Sequence, residues 1–162
     1  MTTRVNEHTL SPTLRQCIDF LNAAKSLKST GSFNFRCAVA SLAMEANRRV
    51  LVFNEEQQPS PGLTSFKSEL ALHRENCTIE TDGEKSVDTE VYMDLYEKTR
   101  VKYSKALEDA QKLQKEANRA LENKVDIYCK PIPLEMLEQT DQETKLDPML
   151  LSAILPFTAP AQ

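Results

Sequence analysis

DTEVYMDLYEKTRVKYSKALEDAQKLQKEANRALEN, residues 88–123, contains neither proline nor glycine. Tyr92, Tyr96, Thr99, Tyr103, Ala106, Ala110, Leu113, Ala117 and Ala120 follow one another at alternating steps of four and three. That is the heptad repeat of a helix with one seam to bury, sustained through about five heptads. The spacing predicts one continuous helix over 88–123, spanning about 50 Å at a rise of roughly 1.5 Å per residue. Tyrosines occupy the first half of the seam and alanines the second. The C-terminal half therefore admits close approach of another backbone, whereas the N-terminal half holds a partner further off. A solitary helix is marginal in water, so the seam needs a cover.

Two segments offer one. In SPTLRQCIDFLNAAKSLKSTG, residues 11–31, Ser11 can cap, Pro12 suits the first helical position and Gly31 supplies a stop. Leu14, Cys17, Ile18, Leu21 and Ala24 share one face, which predicts an amphipathic helix over 12–29. Residues 36–57 repeat at Val39, Leu42, Ala46, Val50 and Phe53. They read as a second helix running through RRVLVF until QPSPG breaks it. This helix covers roughly 30 Å of the seam, leaving the rest to helix 12–29 or to a second subunit.

Beyond the long helix, Val125, Ile127 and Cys129 alternate with polar neighbours, the pattern of a half-buried strand, and Pro131 and Pro133 stop it from continuing. Pairing with SFNF, residues 32–35, would make a small two-strand element at one end of a helical body. Residues 58–87 suggest a short helix around TSFKSELALHREN, a turn at Asp82-Gly83 and an otherwise mobile loop region. PLEMLEQ reads as one helical turn, 138–147 as a linker, and DPMLLSAIL as a short apolar C-terminal helix ended by Pro156. The expected fold is mainly α, a single helical domain over 1–162 with amphipathic helices packed on one long heptad-patterned helix.

Composition excludes several function classes. At 162 residues the chain can bury roughly 70% of its unfolded surface without disulfides or metal. Forty per cent apolar and 27% charged residues are too apolar a mix for wholesale disorder. Only Gly31, Gly62 and Gly83 are available to cradle a phosphate. A net charge of −4 with interleaved signs gives no overall attraction for nucleic acid or anionic lipid. The N-terminal stretch lacks an apolar signal core and no run of 18 apolar residues occurs, so a cytoplasmic protein is expected, without a membrane partner. Cys17, Cys37, Cys77 and Cys129 are widely spaced and read as reduced core residues.

No catalytic, cofactor or metal signature emerges. His73 and Glu75 in HREN resemble the His-x-Glu of zinc deaminases, but the Cys-x-x-Cys that completes such a site is missing. With His8 the only other histidine, a triad or a His-rich metal site has few members to recruit. Lys98, Arg100, Lys102 and Lys105 cluster around Tyr103 and could contact phosphates while the ring stacks on a base. The competing reading is the solvated face of a long helix. Tyr92, Tyr96 and Tyr103 could form a partner interface or an internal core.

The order of FNFRCAVASLAMEANRRVLVFNEEQQ, a long charged helix, VDIYCKPIPLEML and LDPMLLSAILPF resembles a group of small uncharacterised bacteriophage and prophage proteins. The resemblance implies a viral or prophage setting, within a bacterial host, and carries over no functional residue. The sequence thus points to a non-enzymatic protein-interaction or assembly module, binding itself as a homodimer or binding a phage or host protein. The alternative is a small nucleic-acid-associated protein that uses the basic segment 98–105.

Overall fold

The computed structural model describes residues 9–81 and 84–159; the Asp82-Gly83 turn, His8 and the N-terminal stretch before it lie outside them. In chain order the elements are β1 (Thr9–Leu10), α1 (Leu14–Ser26), α2 (Phe33–Glu56), α3 (Pro61–Asn76), β2 (Thr78–Thr81), β3 (Glu84–Val87), α4 (Thr89–Lys102), α5 (Ser104–Ala120), β4 (Ile127–Tyr128), β5 (Ile132–Pro133), α6 (Leu134–Thr144), α7 (Pro148–Ile154) and β6 (Thr158–Ala159). The fold is mainly α, with three two-stranded pairings among the described residues as its minor β element. The chain divides into two compact units, one of residues 1–56 with 118–162 and the other of residues 57–117. No helix among the described residues is long and apolar enough to cross a membrane.

The first unit is built on the α1–α2 pair. α1 starts at Thr13, not at the expected Ser11-Pro12. The Thr13 hydroxyl accepts from Gln16 N at 3.2 Å while the Gln16 side chain accepts from Thr13 N at 2.8 Å, a reciprocal capping box. The next free N–H groups find the chain that leaves α5: Leu14 N donates to Asn123 O at 3.0 Å and Arg15 N to Leu121 O at 2.9 Å. Val125 N returns the contact to Pro12 O at 2.9 Å. A helix start whose donors would otherwise be unpaired is thus sealed by backbone from residues 121–125.

These bonds lead into the antiparallel β1–β4 pair, with Leu10 opposite Ile127. The strand expected from VDIYC therefore exists as Ile127–Tyr128, but its partner is β1. SFNF is no strand: Phe33–Phe35 open α2, where Ser32 Oγ accepts from Phe35 N. The side-chain cap and the helical run that follows outweigh a two-phenylalanine alternation.

Phe20, Phe35, Leu42, Ile127, Ile132, Ile154 and Phe157 are fully buried in one core with Leu14, Cys17, Val39, Ala46 and Leu137. Each large side chain so placed contributes about 1.5–3 kcal/mol. Phe20 stacks on Phe157 at 4.2 Å between ring centroids, which ties the C-terminal end to α1. PLEMLEQ opens the 11-residue α6, and α6 reaches into the stretch read as a linker. Gly31 turns the chain between α1 and α2 at φ +75, where a Cβ would lie 2.8 Å from Thr140 Cγ2 of α6. Both the backbone sign and the close approach require glycine there.

In the second unit, α3 is capped by Ser60 with Pro61 in its first turn, and the four-residue strands β2 and β3 form an antiparallel hairpin. The single helix expected over 88–123 is corrected here: α4 ends at Lys102, Tyr103 is a turn residue with φ −106 and ψ 18, and α5 begins at Ser104. No proline or glycine causes this. Tyr103 sits edge-on to Phe66 of α3 at 6.0 Å, and its hydroxyl donates to Glu69 of α3 at 2.9 Å. Thr99 adds a side-chain hydrogen bond to the Leu95 carbonyl one turn back, which bends helices.

Every seam position from Tyr92 to Ala120 is nevertheless buried or half-buried. α3 supplies cover within this unit, and Gly62 meets Ala106 so closely that a Cβ would lie 2.9 Å from that methyl. In the first unit the apolar faces of α1 and α2 bury each other together with the C-terminal elements.

Candidate functional site

α2 buries one stripe and leaves a second one open. Phe35, Val39, Leu42, Ala46 and Val50 face the core. Phe33, Cys37, Ala40, Met44, Asn47 and Leu51 recur at steps of four and three along a neighbouring face, and all six are exposed. Phe33 is 71% and Met44 64% accessible, so large apolar side chains on this face stand open to solvent. Ile18, Leu21 and Lys25 of α1, with Lys28 in the turn that follows it, form the opposite wall, also at steps of three and four. Between the walls lies a groove of about 770 Å³. Its α2 lining is small at Ala40 and Ala43, so an incoming backbone can approach closely. Its charged lining residues are Lys25, Lys28 and Arg36, with no carboxylate among them.

The sequence did not reveal this face, because the core stripe of α2 dominates its periodicity. The signal was present in the second 4-3 spacing, from Phe33 to Leu51.

The residues singled out from sequence lie in the second unit. Tyr103 is committed to α3 through Phe66 and Glu69. Tyr92 and Tyr96 face each other at 6.5 Å and remain half-buried. The basic cluster is largely neutralised: Lys98 pairs with Asp94 at 2.6 Å, Arg100 with Glu97 at 3.4 Å and Lys102 with Glu69 at 2.7 Å. The Lys102 ammonium also lies 5.1 Å from the Tyr103 ring centroid, so the ring that would stack on a base is already partnered. Lys105 makes no ion pair among the described residues.

Around Glu69 these groups form one polar clamp. Hydrogen bonds from Lys102 and then Tyr103 hold the Glu69 carboxyl below its ordinary range, and Glu69 in turn raises Lys102. His73 Nε2 lies 3.1 Å from Thr99 Oγ1 and 3.7 Å from Glu69 Oε1. Thr99 donates its own proton to Leu95 O at 2.8 Å, so it accepts from His73, whose Nε2 must carry hydrogen. A hydroxyl–imidazole–carboxylate relay needs its two partners on opposite ring nitrogens. Here both lie at the same one, and Thr99 is 2% exposed. The cluster therefore packs α3 against α4 and lacks the geometry of a nucleophile.

Cys17 and Cys129 are poorly suited to attack. Burial pushes Cys17 up to about 11 against the opposing charge of Arg49, and burial also raises Cys129. Cys77 is buried, and Cys37 is exposed on the groove wall. Among the described residues no group of three His, Cys, Asp or Glu side chains is placed to hold a metal ion, and Glu75 does not join His73 in one.

Comparison with known protein families, with curated proteins and with solved structures finds no match.

Proposed function

We propose that this protein works by docking another protein into the α1–α2 groove and performs no catalysis. The observation that carries the reading is the exposed 4-3 stripe of α2 facing the matching stripe of α1 across an apolar trough. Two helix walls of that spacing suit a third helix, the groove mode of recognition. In the phage or prophage setting that the resemblance implies, such docking serves assembly or engages a host factor.

The test is comparative capture. A partner of this groove is retained by the wild type and by Glu69→Gln, whose change lies on α3, and drops about tenfold on Ala40→Glu, which puts a charge in the groove lining. Equal recovery on Ala40→Glu and wild type would remove the groove from the function.

A second reading, self-association through α4, is favoured by the exposed apolar side chains of Val91, Met93 and Val101 beside the tyrosines. Light scattering at about 50 μM checks it: a dimer that dissociates in Tyr92→Glu supports it, and a monomer ends it. Nucleic-acid binding through 98–105 would require phosphates to displace three carboxylates already paired with its cations. A salt-independent absence of binding to single-stranded DNA is expected.

A further inference from the structure

We propose that the occupant of the α1–α2 groove is an acidic amphipathic helix of another protein; the proposal rests on the groove being a docking site and adds the chemistry of what it takes. The chain as a whole is acidic, yet the groove's charged lining is entirely basic. α1 and the turn that follows it sort the charges to separate sides. Lys25 and Lys28 line the groove, while Asp19 lines a separate hollow with Asp147 beside α7. The cations thus stand where a helix lying in the trough would place its flanking positions, next to the apolar seam.

The exposed stripe from Phe33 to Leu51 runs about 27 Å, which matches some 18 helical residues at the α-helical rise. A seam flanked by Glu or Asp meets Lys25, Lys28 and Arg36 with opposite charge. A basic helix meets them with like charge. A second copy of this groove brings the same three cations and no carboxylate lining, so isologous pairing leaves them uncompensated. An anionic membrane surface shares the sign but not the shape, because a trough between two helices is concave.

Fluorescence anisotropy tests the assignment with three labelled peptides of about 18 residues. Each has leucine at its seam positions and alanine elsewhere, and the flanks carry glutamate, glutamine or lysine. The glutamate peptide is expected to bind at least about tenfold more tightly than the lysine peptide, with the advantage shrinking several-fold as salt rises. Ala40→Glu should abolish its binding. Lys25→Glu with Lys28→Glu and Arg36→Glu should reverse the order of preference, with circular dichroism showing that each variant keeps its helix content.

Equal binding of all three peptides, all lost in Ala40→Glu, would overturn the acidic assignment and leave the docking groove standing. No binding by any peptide, or binding that ignores Ala40→Glu, would overturn both. Binding to phosphatidylglycerol–phosphatidylcholine vesicles without binding of the glutamate peptide would replace the helix by a lipid surface and overturn the proposal.

Discussion

Truncating Phe157 to alanine probes whether the C-terminal segment closes the first unit. The ring is fully buried and stacks on Phe20 at 4.2 Å. Removing a buried phenylalanine costs about 3–5 kcal/mol, because the transfer free energy is lost and a cavity stays behind. The stacked pair accounts for about 0.5–1.5 kcal/mol of that. A loss of about 4 kcal/mol is large against a total of roughly 5–15 kcal/mol. For a unit of about 100 residues it corresponds to a fall in Tm of roughly 15–30 °C.

Urea unfolding followed by far-UV circular dichroism measures this directly, with the midpoint falling and the slope unchanged. The cycle completed by Phe20→Ala and the double variant should return a coupling of about 1 kcal/mol. A cost for Phe157→Ala below about 1 kcal/mol would mean that the segment is not seated on α1, and the core as described would be wrong.

Further outcomes follow from single positions. Gly31→Ala should cost about 1–3 kcal/mol in the same assay, since its φ of +75 and the 2.8 Å approach to Thr140 both oppose a Cβ. Ellman's reagent should modify Cys37 at once and reach Cys17 and Cys77 only on unfolding, with Cys129 between them; immediate reaction of Cys17 would contradict its burial. The Glu69 carboxyl is depressed in the folded chain, so its contribution is present above the ordinary value of 4.5 and fades as pH falls through the lower folded value. Glu69→Gln should therefore flatten the acid limb of thermal stability, and the difference should shrink with added salt. An unchanged limb would show that the clamp with Lys102 and Tyr103 contributes nothing.

Helical repeats were legible where one stripe dominated. The seam from Tyr92 to Ala120 could be read from spacing alone, and all of its residues are shielded. The interruption at Tyr103 could not, because it arises from Phe66 and Glu69, some 35 residues away in sequence. Ser11-Pro12 offered a stronger local start signal than Thr13, whose advantage comes from Gln16 together with the carbonyls of Leu121 and Asn123. Strands as short as β1 have no periodicity to read, so the partner of Ile127 was hidden. The pairing of Lys98, Arg100 and Lys102 with Asp94, Glu97 and Glu69 could not be read, because sequence shows the spacing of charges but not their partners. The groove was hidden for the opposite reason: α2 carries two stripes, and the buried one masked the exposed one.

Chemical-shift mapping tests the central claim most directly. With the glutamate-flanked peptide added to isotope-labelled protein, perturbed amide and methyl signals are expected to cluster on residues 18–28, in α1 and the turn after it, and on residues 33–47 of α2. Perturbations centred on residues 92–105, or a spectrum that does not change at saturating peptide, would contradict it.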